Sequence, residues 1–356
     1  MNLLPLSCPS HDLDDILSRT EPLWQSLRGE RLFVTGGTGF VGCWLLESLV
    51  WANGRLNLGL SVEVLSRDPA RFTRQYPWLA GHACLQYRQG DVRSFEFPEG
   101  HFSHVIHAAT EAPTVENDDR PLLKFETMVH GTQRTLDFAR QCGAGKVLLT
   151  SSGAVYAKQP PALLGMVEDY PEASDPTNPA FVNGEGKRAS EMLCALYARQ
   201  FGLDVKIARL FSFIGPYLQL DFHYAAGNFV RDALSGGPIR LTGDGSPIRS
   251  FQYGADLAVW LWTILSRGET CRPYNVGSEE AVTIAELAEL VGAAVRPRLP
   301  VERPAESGVP GLRSRYVPST VRAHRELGLD NRTDLATAIT RTVDWCQARG
   351  GNPAGE

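Results

Sequence analysis

The run Thr35-Gly36-Gly37-Thr38-Gly39-Phe40-Val41-Gly42 carries the clearest chemistry in this 356-residue sequence. It follows the apolar triplet Leu32-Phe33-Val34 and opens a stretch, Trp44 to Trp51, whose apolar residues have helical spacing. Glycines at a strand-to-helix turn let the backbone approach a pyrophosphate. The helix N-terminus then offers N–H groups and the positive end of its dipole. The reading is a dinucleotide held at Gly36, Gly39, Phe40 and Val41; the plain alternative is a glycine-rich turn in an unrelated α/β fold. The end of the next strand selects the cofactor, because an acid there bonds the 2′-hydroxyl of NAD and an arginine accepts the 2′-phosphate of NADP. Ser66-Arg67 follows Val64-Leu65 at that point, which favours NADP over NAD. Asp68, one step further on, would restore an NAD-type contact if the loop shifted by a residue.

Such a turn needs a sheet and helices to hold it. Further β-like runs occur at Val62 to Leu65, His104 to Ala108, Lys146 to Ser151 and Val205 to Leu210, with helical stretches at Leu122 to Gln141 and Gly186 to Phe201. Strands alternating with helices of that length imply an α/β fold, a Rossmann-type doubly wound parallel sheet with a smaller C-terminal substrate-binding unit. Three parts are expected: an N-terminal helical extension over 1–30, a dinucleotide-binding domain over 31–215 with returns from the C-terminal part, and a substrate domain over 216–345. The last is marked by loops such as Ser235-Gly236-Gly237-Pro238 and Gly243-Asp244-Gly245-Ser246-Pro247.

Composition removes several classes of function. With 43% hydrophobic and 21% charged residues the chain has ordinary globular proportions, and a net charge of −5 with scattered Lys and Arg argues against a nucleic-acid partner. No apolar run reaches the roughly 18 residues needed to span a bilayer, so no membrane association is expected. The seven cysteines are widely spaced and form no C-x-x-C pair, which points to no metal site, no disulfide framework and a reducing, cytoplasmic setting.

The spacing Gly36, Gly39, Gly42 resembles that of the extended short-chain dehydrogenase/reductases, in particular the NAD(P)-dependent sugar-nucleotide epimerases and dehydratases, and the resemblance runs in order over residues 31 to 345. Asp91-Val92 is similar to the family's adenine-contacting pair, and His107-Ala108-Ala109 to its H-x-A-A segment beside the cofactor. Ser151-Ser152-Gly153-Ala154-Val155-Tyr156 resembles the segment that makes Ser152 catalytic. Arg209 to Pro216 is similar to R-x-x-N-x-[YF]-G-P, Gly243 to Arg249 to G-D-G-x-x-x-R, and Tyr274-Asn275-Val276-Gly277 to Y-N-[IV]-G. The resemblance implies a sugar nucleotide bound near Thr110, Ser152, Asn228 and Arg249, with Lys187 on the nicotinamide ribose. A homodimer is also expected, paired through the helix bearing Lys187 and the one before it. Met192, Leu193, Leu196 and Tyr197 would serve either that interface or the core.

The chain departs from the family at two points. The family reaction needs a Tyr four residues before Lys187, one helical turn away on the same face; that position is Asn183, an amide with no titratable proton near neutral pH. Asn183 adds at most a hydrogen bond or holds a water. Three readings stay open: an epimerase-like enzyme with a relocated base, a non-redox isomerase or lyase or a regulatory protein that binds both ligands, and an engineered inactive Tyr-to-Asn variant. Candidates for a relocated base are Glu111, Glu168, Asp169 and His223, each of which is otherwise a solvated surface group. The second departure is the absence of the Asp-Glu pair that 4,6-dehydratases carry directly after the catalytic Ser or Thr. Gly153 and Ala154 stand there, so transient oxidation with epimerisation is preferred over dehydration.

Overall fold

The computed structural model describes residues 7–110, 120–220, 224–304 and 314–350. Its main sheet has seven parallel strands in the order β11-β6-β5-β4-β1-β2-β3. These are β1 (Arg31–Thr35), β2 (Ser61–Ser66), β3 (Leu85–Gln89), β4 (His104–His107), β5 (Lys146–Ser152), β6 (Val205–Leu210) and β11 (Pro273–Val276). Helices lie on both faces, so the inner strands are shielded on both sides and read as short apolar runs without alternation. Leu32, Phe33, Val34, Val105, Ile106, Val147 and Leu148 are all at most 1% exposed. Strand order reverses between β1 and β4, which opens a crevice outside the carboxyl ends of these two strands.

The helices are α1 (Ser10–Gln25), α2 (Phe40–Leu56), α3 (Pro69–Gln75), α4 (Pro77–Ala80), α5 (Pro121–Gln141), α6 (Val182–Phe201), α7 (Ala225–Leu234), α8 (Gly254–Arg267), α9 (Ile284–Ala294), α10 (Val321–Leu327) and α11 (Leu335–Ala348). Helix α5 begins with Pro121 at its first turn, where a missing N–H costs nothing, and α6 ends on Gly202 in the left-handed region at φ 72°. Helix α9 opens with a capping box between Thr283 and Glu286.

After β6 the strands outside the main sheet are short: β7 (Phe213–Ile214) pairs with β10 (Gln252–Tyr253), and β8 (Ile239–Arg240) with β13 (Val301–Glu302). Strand β9 (Ile248–Ser250) lies between β12 (Ala281–Thr283) and β14 (Arg315–Tyr316). These pieces stand at the carboxyl end of the main sheet. The same stretch of chain also sends β11 and the almost wholly buried α8 back to the sheet. The N-terminal helix is welded to that layer: the Trp24 and Trp262 rings lie 4.7 Å apart, and Tyr253 donates a 2.6 Å hydrogen bond to the buried Asp12 carboxylate.

Candidate active site

The three glycines of the first turn are required for three different reasons. Gly36 has φ 73°, and a Cβ there would lie 2.4 to 2.5 Å from the backbone of Ala108 and Ala109. A Cβ on Gly42 would stand 2.3 Å from the Gly36 carbonyl oxygen, so this glycine lets α2 begin directly against the turn. Gly39 differs, since its Cβ would meet nothing closer than that same oxygen at 3.6 Å. No steric demand within the protein calls for a glycine at 39; its bare Cα leaves room for a molecule to lie against the turn. Gly39 is also the N-cap of α2 and supplies no side-chain cap, so the first N–H groups of the helix remain available to an anion. The turn therefore fits the pyrophosphate of a dinucleotide.

From this turn a cleft of about 1890 Å³ runs over the carboxyl ends of the strands. One end is lined by Gly36, Gly39, Phe40 and Val41, by Ser66 and Arg67 at the end of β2, by Asp91 and Val92, and by Ala108, Ala109 and Thr110 after β4. The other end is lined by Asn228 on α7 and Arg249 on β9. The structure thus gathers most of the predicted cofactor and nucleotide residues into one continuous space. Asp68 lines it too, but its carboxylate accepts the Arg71 N–H at 2.9 Å as the cap of α3. Asp91 is held by Arg93 through hydrogen bonds of 2.8 and 2.9 Å, which keep its carboxyl below the usual range.

His107, Ser152, Asn183 and Lys187 are not part of that lining. His107 sits one layer below it, fully buried, with Nδ1 2.8 Å from Thr35 Oγ1 and Nε2 3.1 Å from Thr132 Oγ1. Burial, reinforced by the charge of Lys187, pushes its pKa down to about 3, so it is a neutral strut joining β1, β4 and α5. Lys187 is buried on α6, where Nζ donates to the Thr150 carbonyl at 2.7 Å. Burial lowers its pKa to about 8, against the opposing charge of Glu191. Asn183, one turn earlier, is exposed, and its side chain makes no hydrogen bond with the described residues.

The end of β5 rests on a buried polar network. Arg209 forms a fork with Glu191 at 2.9 and 2.7 Å and donates to the Tyr156 hydroxyl at 2.9 Å; Ser151 donates to Glu191 at 2.5 Å. Tyr156 in turn donates to Asn275 Oδ1 at 2.7 Å. Glu168 belongs to this network. Its carboxylate accepts the Asn275 N–H at 3.0 Å and faces Arg322 at 3.7 Å, and it is spent on tying the Met166 loop to β11. Asp169 points outward, 87% exposed, and pairs with Arg322. Neither carboxylate reaches the cleft, while Glu111 and His223 lie outside the described residues. The motif residues Arg209, Tyr156 and Asn275 therefore share a structural task that their separate positions in the sequence do not reveal.

Arg249 is a charged side chain on the cleft wall at the far end. It donates to the carbonyls of Ile248 and Ser314 at 2.8 and 3.2 Å and has no carboxylate partner among the described residues. Burial destabilises its charge and lowers its pKa. A half-buried cation without a counter-charge, lining a cleft, is poised for an anionic ligand. Sequence reasoning missed Tyr316, whose hydroxyl reaches Ser152 from the C-terminal strand β14.

Comparison with known proteins agrees with this geometry. Residues 32–277 match the model of the NAD dependent epimerase/dehydratase family. UDP-glucuronic acid decarboxylase 1 of Arabidopsis thaliana is 31% identical over 314 residues, covering 88% of this chain and 69% of that protein. UDP-glucuronic acid decarboxylase 6 of the same plant is 28% identical over 323 residues, covering 91% and 90%. Among solved structures, the dTDP-glucose 4,6-dehydratase DesIV of Streptomyces venezuelae, determined with NAD bound, superposes with a TM-score of 0.74 at 26% identity, covering 90% of this chain and 98% of its own. The epimerase Mth375 of Methanothermobacter thermautotrophicus shares the fold, with a TM-score of 0.78 at 20% identity over 94% and 97% of the two chains. A glycine turn shaped for a pyrophosphate, a reversal of strand order beside it and a family match over that same stretch lead to one assignment: the chain belongs to the NAD dependent epimerase/dehydratase family.

Proposed function

We propose that this chain is an enzyme that modifies the sugar of a nucleotide sugar through transient oxidation by a nicotinamide dinucleotide held on the β1–α2 turn. The observation that carries this reading is the cleft itself. It is continuous from Gly39, where the protein leaves room for a ligand, to Arg249, a cation without a counter-charge. In this arrangement Phe40 and Val41 N–H groups hold the pyrophosphate of the dinucleotide, Ala108, Ala109 and Thr110 border the nicotinamide half, and Asn228 and Arg249 take the phosphates of the sugar nucleotide. Lys187 and Ser152 flank the reacting carbon, Lys187 orienting the cofactor ribose and Ser152 polarising the sugar oxygen. Bound cofactor supplies the hydride acceptor. Ser66 and Arg67 line the cleft at the end of β2, where the adenine ribose would lie, which supports NADP beside NAD.

The turn after Ser152 supports epimerisation or a related transient oxidation over 4,6-dehydration. A side chain at 153 would collide with Phe211 and Tyr316 at 2.7 to 2.8 Å, so no acid can enter from that position. The division into an N-terminal extension over 1–30, a dinucleotide domain over 31–215 with C-terminal returns, and a substrate unit over 216–345 belongs to the same proposal. So does a homodimer through α5 and α6: Leu122, Met192 and Leu196 are 68, 61 and 51% exposed, whereas Tyr197 is buried and bonded to Asp137. A cytoplasmic location accords with seven free cysteines.

The test is to saturate the purified protein with NAD or NADP and add UDP-glucuronate, UDP-glucose or dTDP-glucose while following reduced-nicotinamide absorbance and the sugar by NMR. Transient reduction with a changed sugar is the expected result. Binding of both ligands with no redox change and no product would overturn the reading in favour of non-redox or regulatory binding.

A further inference from the structure

Ser152 has a titratable neighbour that no motif identifies. Strand β14 pairs with β9 so that Tyr316 stands opposite Arg249, which brings residue 316 behind the cleft wall that Arg249 lines and toward the end of β5. The Tyr316 ring lies on Phe211 with centroids 4.6 Å apart, and its hydroxyl faces the Ser152 side chain. Ser152 Oγ accepts the Ala154 N–H at 3.1 Å. A Cβ on Gly153 would come within 2.7 Å of the Tyr316 hydroxyl. The space directly after Ser152, which a side chain of the β5 turn would otherwise fill, is thus occupied by a phenol from the C-terminal unit. Glu168 and Tyr156 are committed to the network under β5 and Asp169 to Arg322, while Glu185 faces Arg188 at 3.6 Å through one oxygen and Tyr224 stands on the cleft wall beside Tyr316.

We propose that Tyr316 is the group that exchanges a proton with the sugar, acting beside Ser152 in the role that Asn183 on α6 has no chemistry to fill. The proposal rests on the nucleotide-sugar reading above. In the oxidation half-step the carbinol C–H bond breaks and its electron pair leaves as hydride to the oxidised nicotinamide. The C–O bond becomes C=O, and the hydroxyl proton passes to the Tyr316 phenolate oxygen. In the reduction half-step the neutral phenol returns that proton to the oxygen as hydride returns to carbon. The groups facing the hydroxyl are Ser152 from β5, Arg249 from β9 and Tyr224 at the start of α7. Burial raises the phenol to about 12, while the Ser152 side chain and the Arg249 charge work the other way. The oxidation half-step, which consumes phenolate, therefore accelerates with rising pH, about tenfold per unit while the phenol remains neutral.

Two measurements separate this proposal from the reading it rests on. In 3-fluorotyrosine-labelled protein saturated with NAD, the Tyr316 ¹⁹F resonance is identified by its absence in Tyr316→Phe, a variant that keeps the ring on Phe211. UDP-glucuronate, UDP-glucose or dTDP-glucose should move that resonance beyond what UDP or dTDP alone does. A resonance that no nucleotide sugar moves overturns the proposal whether or not the enzyme is active. Single-turnover cofactor reduction should fall about 10²- to 10⁴-fold in Tyr316→Phe and lose its rise with pH, with cofactor affinity unchanged. A wild-type rate in that variant overturns proton exchange at Tyr316. A resonance that moves in a wild type that reduces no cofactor overturns proton exchange together with the redox reading, and leaves Tyr316 as a sugar-binding group.

Discussion

At the β1–α2 turn the backbone shapes the cleft, whereas at the far end, where the sugar is proposed to bind, side chains from distant segments do. Gly36, Gly39 and Gly42 lie within seven consecutive residues and shape a surface from main-chain atoms alone. Ser152, Arg249 and Tyr316 come from β5, β9 and β14, and approach one another only because the pairing of β14 with β9 carries Tyr316 toward the end of β5. A backbone-built site tolerates almost no change in residue type but leaves a compact mark in the sequence. A side-chain-built site can hand a role to another segment. It tolerates the replacement of a reacting residue and conceals it.

The sharpest way to break that contrast is to put side chains on the glycines. Gly36→Val and Gly42→Val place atoms about 2.3 to 2.5 Å from backbone that cannot retreat, and Gly36 adds the strain of a positive φ. Both should lose dinucleotide binding entirely and unfold at markedly lower urea concentration. Gly39→Ala should keep wild-type stability and lose cofactor affinity alone, measured by calorimetry. Equal stability losses at 36 and 39 would dissolve the distinction drawn here between packing glycines and a ligand-facing one.

The next effect lies under the sugar end. Arg209→Met would leave the largely buried Glu191 carboxylate without its cation and strip a donor from Tyr156, and removing one partner of a fully buried pair costs about 3 to 5 kcal/mol, which sets the upper bound here. Urea unfolding should show that loss, while Arg209→Lys should recover only part of it, because an ammonium lacks the fork that reaches both Glu191 oxygens.

This network also shows where sequence reading ran out. The runs at Val34, Val64, Ile106, Leu148 and Ile207 were legible as strands because both faces of the sheet are covered and apolar residues crowd together. Strand β3 was not, since only Leu85 of its five residues is buried and an edge strand carries polar side chains. Strand β11 lay hidden inside a motif, Tyr274 to Gly277, whose Asn275 works as a buried brace. Tyr316 left no mark at all: its role depends on the pairing of β14 with β9, and the two lie more than sixty residues apart.

Smaller effects should divide along the same line. Arg249→Met removes a charged donor from the cleft wall, so affinity for UDP or dTDP should fall about tenfold to a hundredfold, the equivalent of roughly 1.5 to 3 kcal/mol, with NAD affinity intact. Lys187 responds to pH instead. Its pKa is lowered to about 8, so the cation that the proposed site would offer the cofactor ribose disappears as pH rises through 8, and NAD affinity should weaken above that point. The stability effect has the opposite sign. Between about 8 and the ordinary lysine value near 10.4 the unfolded chain binds the proton and the folded one does not, so this residue favours folding increasingly across that window. Lys187→Met should flatten both dependences.

The smallest effect should come from the position that looked most damaging. Asn183 is exposed and its side chain makes no hydrogen bond with the described residues, so Asn183→Ala should change stability by less than about 0.5 kcal/mol. If the sugar end has moved its proton chemistry to another segment, the same substitution should leave single-turnover cofactor reduction within a few-fold of wild type, far from the loss expected for a working acid or base. A loss of a hundredfold or more would place Asn183, through a held water, back at the reacting oxygen. The sugar end would then be as tied to its helix as the dinucleotide end is to its glycines.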